Sequence, residues 1–230
     1  MKVALVGYGR MGRMVDKLAS AKGHQIIARV SSHSSLDWDA VSQADVCIEF
    51  SQPDAVLKNL SKISKLGVNC VVGTTGWYDQ LETIRTLTTK HATGILYSPN
   101  FSIGIHLFLE IVQQAAKRIS FFPNYAAAGV EYHHQQKLDS PSGTAKKIAA
   151  AINQEMPEAP PLTFSSVRCG SFPGTHTVIF DSPIDTLTFT HAARNREGFA
   201  EGAILAGEWL LGKKGLFTLE DCLQEKVRCH

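Results

Sequence analysis

The sequence predicts two units: an α/β unit built on a parallel sheet, and an α+β unit with a mixed sheet. Three observations predict this. Over roughly the first 100 residues, short apolar runs alternate with helix-periodic runs, the pattern of parallel strands joined by crossover helices. The first such junction reads Gly7-Tyr8-Gly9-Arg10-Met11-Gly12, a glycine-rich passage from strand to helix. Beyond Pro161, strand-like runs follow one another with no helix between them.

Each element has its own signal. Lys2 to Val6 is a short apolar strand that ends in glycine. Met11, Met14, Val15, Leu18 and Ala19 then share one helical face, and Gly23 closes that helix. His24–Val30 and Ala44–Phe50 read as the second and third strands. Pro53 and Asp54 open a helix that carries Val56, Leu60 and Ile63 and stops at Gly67. Asn69–Val72 is the fourth strand, a helix with Leu81, Ile84 and Leu87 follows, and Gly94–Tyr97 is the fifth strand. Ile105, Phe108, Leu109, Val112 and Ile119 mark the next helix. Asn124–His133 reads as a strand and Ser142 to Asn153 as a helix, with Pro157, Pro160 and Pro161 as a linker. Leu162–Cys169, His176–Asp181 and Asp185–His191 read as strands, the last two forming a hairpin around Ser182-Pro183. Phe199–Leu211 is helical, with a short final helix near Leu219.

Composition narrows the function classes. The chain has 230 residues and 44% hydrophobic content, as expected of a globular protein. No apolar run approaches the roughly 20 residues that span a bilayer, so no membrane role is expected. Lys+Arg 23 against Asp+Glu 21 leaves no strong charge excess to bind nucleic acid. The N-terminus opens directly on a strand pattern, with no signal peptide. Cys47, Cys70, Cys169, Cys222 and Cys229 are odd in number and lack C-x-x-C spacing. They read as reduced thiols of a cytoplasmic protein, with neither disulfides nor a zinc site.

The glycine loop points to a dinucleotide. In a G-x-G-x-x-G turn the first glycine makes the tight turn, the second lets backbone approach a pyrophosphate, and the third lets helix and strand pack closely. Gly7, Tyr8, Gly9, Arg10, Met11 and Gly12 are therefore candidate cofactor contacts in a Rossmann-like unit. The second strand ends Arg29-Val30-Ser31-Ser32-His33, without the acid that usually grips the adenosine ribose. That removes repulsion against a 2′-phosphate, and Arg29 or His33 could attract one. NADPH is expected to serve at least as well as NADH. Two further strand ends, Gly73-Thr74-Thr75-Gly76 and Ser98-Pro99-Asn100-Phe101, could reach a nicotinamide or ribose. Ordinary turn chemistry would choose the same residue types.

The richest stretch runs from Glu131 to Ala145. His133, His134 and Lys137 place three proton donors or anion holders within five residues. Pro141 bars a helix from crossing the segment. Ser142 can cap the next helix, leaving the N–H groups of Gly143 and Thr144 for a carboxylate. The pattern suits a small, negatively charged substrate, although a solvated loop before a capped helix would look similar. A metal site is not expected, because H-E-x-x-H spacing is absent and no cysteine lies near. His176 and His191 read as strand surface residues, and Arg194 or Arg196 as either surface charges or a carboxylate clamp.

Taken together, these motifs resemble the 4-hydroxy-tetrahydrodipicolinate reductase (dihydrodipicolinate reductase) family over nearly the whole chain. The resemblance rests on the glycine loop, on Gly73 to Gly76, on Ser98 to Gly104, and on Glu131-x-His133-His134-x-x-Lys137-x-Asp139-x-Pro141-Ser142-Gly143-Thr144-Ala145. It rests also on His191-x-Ala193 with Arg196, Phe199 and Gly202. It implies that residues 1–102 and 197–230 form the dinucleotide-binding domain, and 103–196 the substrate-binding and oligomerisation domain of a homotetramer. His133 and Lys137 take the catalytic positions. His134, Ser142, Gly143, Thr144 and Thr75 are implied to hold a small dicarboxylate. The implied reaction is NAD(P)H-dependent reduction of 4-hydroxy-tetrahydrodipicolinate, with loss of water, in the diaminopimelate route to lysine. The chain departs from the family in the missing acid after the second strand and in a short stretch between Ser31 and Asp45. Another two-domain dehydrogenase of amino-acid metabolism would share the first hundred residues but lack the His-His-x-x-Lys stretch. A non-catalytic dinucleotide sensor would need no proton donors.

Overall fold

A computed structural model describes residues 1–31 and 37–228. The expectations placed on Ser32, His33 and Cys229 lie outside the described residues. Two compact units are present: Met1–Ser102 with Glu197–His230, and Ile103–Arg196.

The first unit is a six-stranded sheet, ordered β10-β5-β4-β3-β1-β2, in which every pairing is parallel. Its strands are β1 (Lys2–Val6), β2 (Gln25–Val30), β3 (Val46–Glu49), β4 (Asn69–Val72), β5 (Gly94–Tyr97) and β10 (Gly215–Thr218). Around it run α1 (Arg10–Ala21), α2 (Trp38–Ser42), α3 (Pro53–Lys65), α4 (Leu81–His91), α7 (Glu197–Leu210) and α8 (Leu219–Arg228). A parallel sheet is covered on both faces, which explains strands that are apolar throughout rather than alternating. Val3, Leu5, Ile48, Val71 and Leu96 pack with α1 and α7 on one face. Ala4, Val6, Cys47, Cys70, Val72 and Ile95 pack with α3 and α4 on the other. Fully burying a Val, Leu or Ile side chain contributes about 1.5–3 kcal/mol, so β1 alone anchors the unit strongly. Strand order reverses between β1 and β3, and in open sheets ligands bind beyond the carboxyl ends of such strands.

The second unit pairs α5 (Ile103–Ile119) and α6 (Gly143–Glu155) with a four-stranded sheet, β7-β6-β8-β9. These strands are β6 (Ala126–His133), β7 (Phe164–Arg168), β8 (Thr175–Asp181) and β9 (Thr186–Ala192). β7 is parallel to β6, whereas β8 and β9 are antiparallel, so the sheet is mixed. The β8–β9 hairpin closes through Ser182 N–H donating to the Asp185 carbonyl at 2.9 Å. Phe108, Val112, Ile148, Ile152, Val178 and Phe180 form this unit's core.

Two of these elements were not legible. α2 and β10 are only five and four residues long, too short to show a period. The third strand is also shorter than the apolar run that predicts it, Val46–Glu49 rather than Ala44–Phe50. No helix among the described residues is long and apolar enough to cross a membrane. Cys47, Cys70 and Cys222 are free and buried, and Cys169 is free and exposed.

Candidate active site

The glycine loop has the geometry its motif requires. Gly7 sits at φ +91, and a Cβ there would lie 2.1 Å from the Phe50 carbonyl oxygen. A Cβ at Gly12 would lie 2.2 Å from the Gly7 carbonyl oxygen, so this glycine brings α1 close to the strand. At Gly9 a Cβ would meet nothing within 4 Å. Gly9 is also the N-cap of α1 and offers no side chain to its free N–H groups. An uncapped helix start beside open space is where a pyrophosphate fits.

The neighbouring loops leave the same end of the sheet. Gly7 N–H donates to the Val30 carbonyl, Phe50 N–H to Val6, Gly73 N–H to Glu49 and Ser98 N–H to Val72, so the ladder continues past the strand ends. A cleft of about 500 Å³ is lined by Gly7, Tyr8, Gly9, Trp38, Lys58 and Lys62, among others. A second, of about 400 Å³, brings Gly9, Arg10 and Met11 together with Gly73, Thr74 and Thr75. Ser98, Pro99, Asn100 and Phe101 line neither cleft. Ser98 and Phe101 are buried, and the Ser98 hydroxyl donates to the Asn100 carbonyl at 2.7 Å. Thr75 is exposed, whereas the Thr74 hydroxyl is committed to Glu49 Oε2 at 2.7 Å.

Two charged features of this unit went unrecognised in the sequence. Glu49 is fully buried and accepts from Thr74, Asn59 and Ser51. Burial raises its pKa above the ordinary value despite those hydrogen bonds. Arg29, expected to attract a phosphate, donates to both carboxylate oxygens of Asp16, at 2.6 and 3.2 Å. The Tyr8 hydroxyl donates to Asp16 as well, at 2.6 Å. The cations that line the larger cleft are instead Lys58 and Lys62 of α3, and none of its described lining residues is Asp or Glu.

The second unit gathers its chemistry through strand register. Glu131 on β6 lies opposite His176 on β8 and Ser166 on β7, and His176 lies opposite His191 on β9. His133, two residues along β6, shares the face of Glu131 and lies opposite Arg168. Glu131 is fully buried, His176 is 3% exposed and His133 7%. The expectation of surface positions for His176 and His191 is therefore corrected. Register places both on the helix-covered face, where His176 is buried and His191 is half-buried beside Phe108.

Glu131 is the hub of this row. Its Oε1 accepts from Ser142 N–H at 2.9 Å, Ser166 Oγ at 2.7 Å and Arg168 Nη2 at 2.9 Å. Burial pushes its pKa up, but those donors overcome it and hold the carboxyl at about 2. Its Oε2 faces His133 Nδ1 at 3.4 Å and His176 Nε2 at 3.6 Å. Burial lowers the pKa of His133, with Glu131 opposing and Lys137 assisting. Burial and the neighbouring His133 lower His176 to about 4. Both rings are thus neutral near pH 7. Glu131, His133 and His176 also have metal-ligand chemistry, with ligating atoms within 4.8 Å of one another. Arg168 already supplies positive charge to the same carboxylate.

The loop after β6 turns at Gln135 and Gln136 and returns Lys137 toward His134, with Lys137 N–H donating to the His134 carbonyl at 3.1 Å. Lys137 Nζ holds Asp139 Oδ1 at 2.6 Å. Lys137, together with the N–H of Gly143, keeps the Asp139 carboxyl below its ordinary range. Ser142 caps α6 by accepting from Ala145 N–H at 3.1 Å, and its hydroxyl lies 3.3 Å from His176 Nε2. The unit therefore brings His133, Lys137, Ser142 and Gly143 into one network. The parts missed in the sequence are Glu131 as hub, Ser166, Arg168 and His176. The spacing of Glu131 and His133 was a usable signal, since strand residues two apart share a face.

A glycine-loop nucleotide fold joined to a unit with a buried acid–base cluster defines an oxidoreductase of the two-unit, dinucleotide-dependent class. Residues 1–101 match the family described as dihydrodipicolinate reductase, N-terminus, and residues 104–223 its C-terminus. The chain belongs to the dihydrodipicolinate reductase family. It is 36% identical to the 4-hydroxy-tetrahydrodipicolinate reductase of Christiangramia forsetii, over 98% of each chain. It is 31% identical to that of Neisseria meningitidis serogroup B, over 97% of each. In fold it is similar to a dipicolinate-bound dihydrodipicolinate reductase from Paenisporosarcina sp. TG-14. The TM-score there is 0.78 at 22% identity, covering 95% of this chain and 97% of that one.

Proposed function

We propose that the protein reduces 4-hydroxy-tetrahydrodipicolinate to tetrahydrodipicolinate with NAD(P)H, releasing water, in the cytoplasmic diaminopimelate route to lysine. The observation that carries this is the buried His133 joined through one network to Lys137 and the capped start of α6, in a chain of this family. The unit of residues 1–102 and 197–230 binds the dinucleotide, and residues 103–196 bind the substrate. Gly7, Tyr8, Gly9, Arg10, Met11 and Gly12 take the pyrophosphate. Gly73, Thr74, Thr75, Ser98, Pro99, Asn100 and Phe101 are assigned to the rest of the cofactor site, the first three lining the smaller cleft beside the glycine loop. When bound, the dinucleotide would supply the hydride for C4 of the ring, the hydroxyl having left as water.

The chain's own residues handle charge and protons. His134, Ser142, Gly143 and Thr144 hold the two carboxylates. That Asp139 already lays a carboxylate on Lys137 and the N–H of Gly143 supports this assignment. Addition of hydride to the C=C–C=N system leaves an enamine that takes up one proton, and His133 and Lys137 are placed to supply it. Binding both carboxylates also fixes the ring for hydride attack, a positioning effect. NADPH serves at least as well as NADH, because the larger cleft offers Lys58 and Lys62 and no described carboxylate.

A homotetramer is proposed from the open face of the mixed sheet. Val130, Tyr132, Val167, Ile179 and the threonines 177, 188 and 190 point away from the helices and are exposed or half-buried. Such a face is suited to pairing with another copy.

The test is oxidation of NADPH and NADH in the presence of substrate freshly made by dihydrodipicolinate synthase. The expected result is turnover with both, with kcat/KM for NADPH at least equal to that for NADH. No oxidation above background would end the proposal, and strong selectivity for NADH would end its cofactor part. Lys137→Ala is expected to lower kcat/KM by about 10²-fold or more, the usual contribution of a placed proton donor. An unchanged value would remove Lys137 from the mechanism.

A further inference from the structure

We infer that Glu131 is the positioning residue of this site, holding His133 as its Nδ1–H tautomer so that Nε2 is the nitrogen left for proton exchange. The inference rests on the proposed role of His133 in proton handling. Two buried atoms carry the argument. His133 Nδ1 and Glu131 Oε2 each lack a hydrogen-bond partner, and they face one another at 3.4 Å. A buried donor or acceptor left unmet is costly, and only the tautomer with its proton on Nδ1 sets a donor beside the Oε2 acceptor. A proton on Nε2 would instead set two lone pairs against each other.

Glu131 can do this because its other oxygen is fixed. Ser142, Ser166 and Arg168 hold Oε1 from α6, β7 and the sheet neighbour of His133. The carboxylate therefore has a defined direction, as an orienting acid requires. The competing neighbour, His176 Nε2, lies 3.6 Å from Oε2 but has the Ser142 hydroxyl at 3.3 Å. The far nitrogen of His133 faces Gly174. A Cβ at Gly174 would come within 3.1 Å of His133 Nε2, and φ there is +149, so glycine keeps side-chain bulk off this nitrogen.

Charge around His133 gives the test its sign. Glu131 and Asp139 favour its protonated form, whereas Lys137, Arg168 and the burial of the ring oppose it. His176 packs edge-on with ring centroids 5.2 Å apart and is itself neutral near pH 7. Replacing Glu131 by a neutral isostere should therefore move the protonation midpoint of His133 down. Replacing Arg168 should move it up. The opposite signs report the two charges, and the ring tautomer is the readout that a merely structural role would leave unset.

The experiment is NMR of histidine-labelled protein, without substrate, for wild type, Glu131→Gln and Arg168→Gln. The wild-type His133 ring is expected as the Nδ1–H tautomer above its midpoint. Its midpoint should fall in Glu131→Gln and rise in Arg168→Gln, with kcat/KM of Glu131→Gln about tenfold lower or worse. A wild-type Nε2–H tautomer, or a midpoint unmoved by Glu131→Gln, overturns the inference. If Glu131→Gln does not fold, the wild-type tautomer alone decides. The tautomer is read without turnover, so an enzyme inactive on the proposed substrate would count against the proposed function and not against this.

Discussion

Single residues divide here into those that hold the chain and those that leave space, and the glycine loop separates the two. Gly7 and Gly12 have backbone oxygens within 2.1 to 2.2 Å of any added Cβ, whereas Gly9 has nothing within 4 Å. Gly9 also has φ −83 and an extended backbone that other residues adopt freely. Gly9→Val should therefore leave stability within about 0.5 kcal/mol of wild type, as for a surface change. It should weaken NADPH binding by tenfold or more, measured by fluorescence titration. Gly12→Val should instead lower the melting temperature. The glycine spacing was legible because it is local. The partner of Arg29 was not, since nothing in the chain text says that Asp16 on the facing helix will take that guanidinium.

At the scale of elements, α6 links stability to the site. Its Ser142 cap satisfies Ala145 N–H, and the backbone of the same residue bonds Glu131. Ser142→Ala should destabilise the second unit by about 1 kcal/mol through the lost cap, read as a lower urea midpoint by circular dichroism. It should also lower kcat/KM, because His176 Nε2 loses the hydroxyl beside it. The cap was readable from Pro141-Ser142-Gly143-Thr144 alone. The row Ser166–Glu131–His176–His191 was not, because its members sit on four strands and meet only through register. A shift of one residue in any strand would turn its member to the open face.

For the whole molecule, the two units differ in their balance of titration. In the second unit the carboxyls of Glu131 and Asp139 and the imidazoles of His133, His176 and His191 are all shifted down. Each such shift means that the unfolded chain binds protons the folded one refuses. Stability is then lost as pH falls, from the ordinary histidine value of 6.5 toward about 4 for His176. For Glu131 the loss runs from 4.5 toward about 2. In the first unit, Glu49 is shifted up by burial and gains stability on acidification, while Asp16 is shifted down by its hydrogen bond from Arg29. These two act in opposite directions, and the Asp16 contribution is lost only below its ordinary value of 3.8. Trp38, Trp77 and Trp209 all belong to the first unit. Between pH 7 and pH 4, urea unfolding followed by circular dichroism should lose stability more than unfolding followed by tryptophan fluorescence. Equal losses by both probes would contradict this division.

The sequence by itself determined the alternating parallel sheet, the glycine loop, the helix cap and the His133-His134-x-x-Lys137 stretch. Each depends on a period or spacing within a dozen residues, and such patterns are written along the chain. Only the tertiary structure decided that Glu131 is the hub of its cluster, that His176 is buried beside it, and that Lys58 and Lys62 line the cleft beside the glycine loop. Those facts depend on which strand lies beside which and in what register, and on which helix face looks inward. Burial and partner distance are properties of the packed chain, and they set both the charge of Glu131 and the neutrality of the histidines around it.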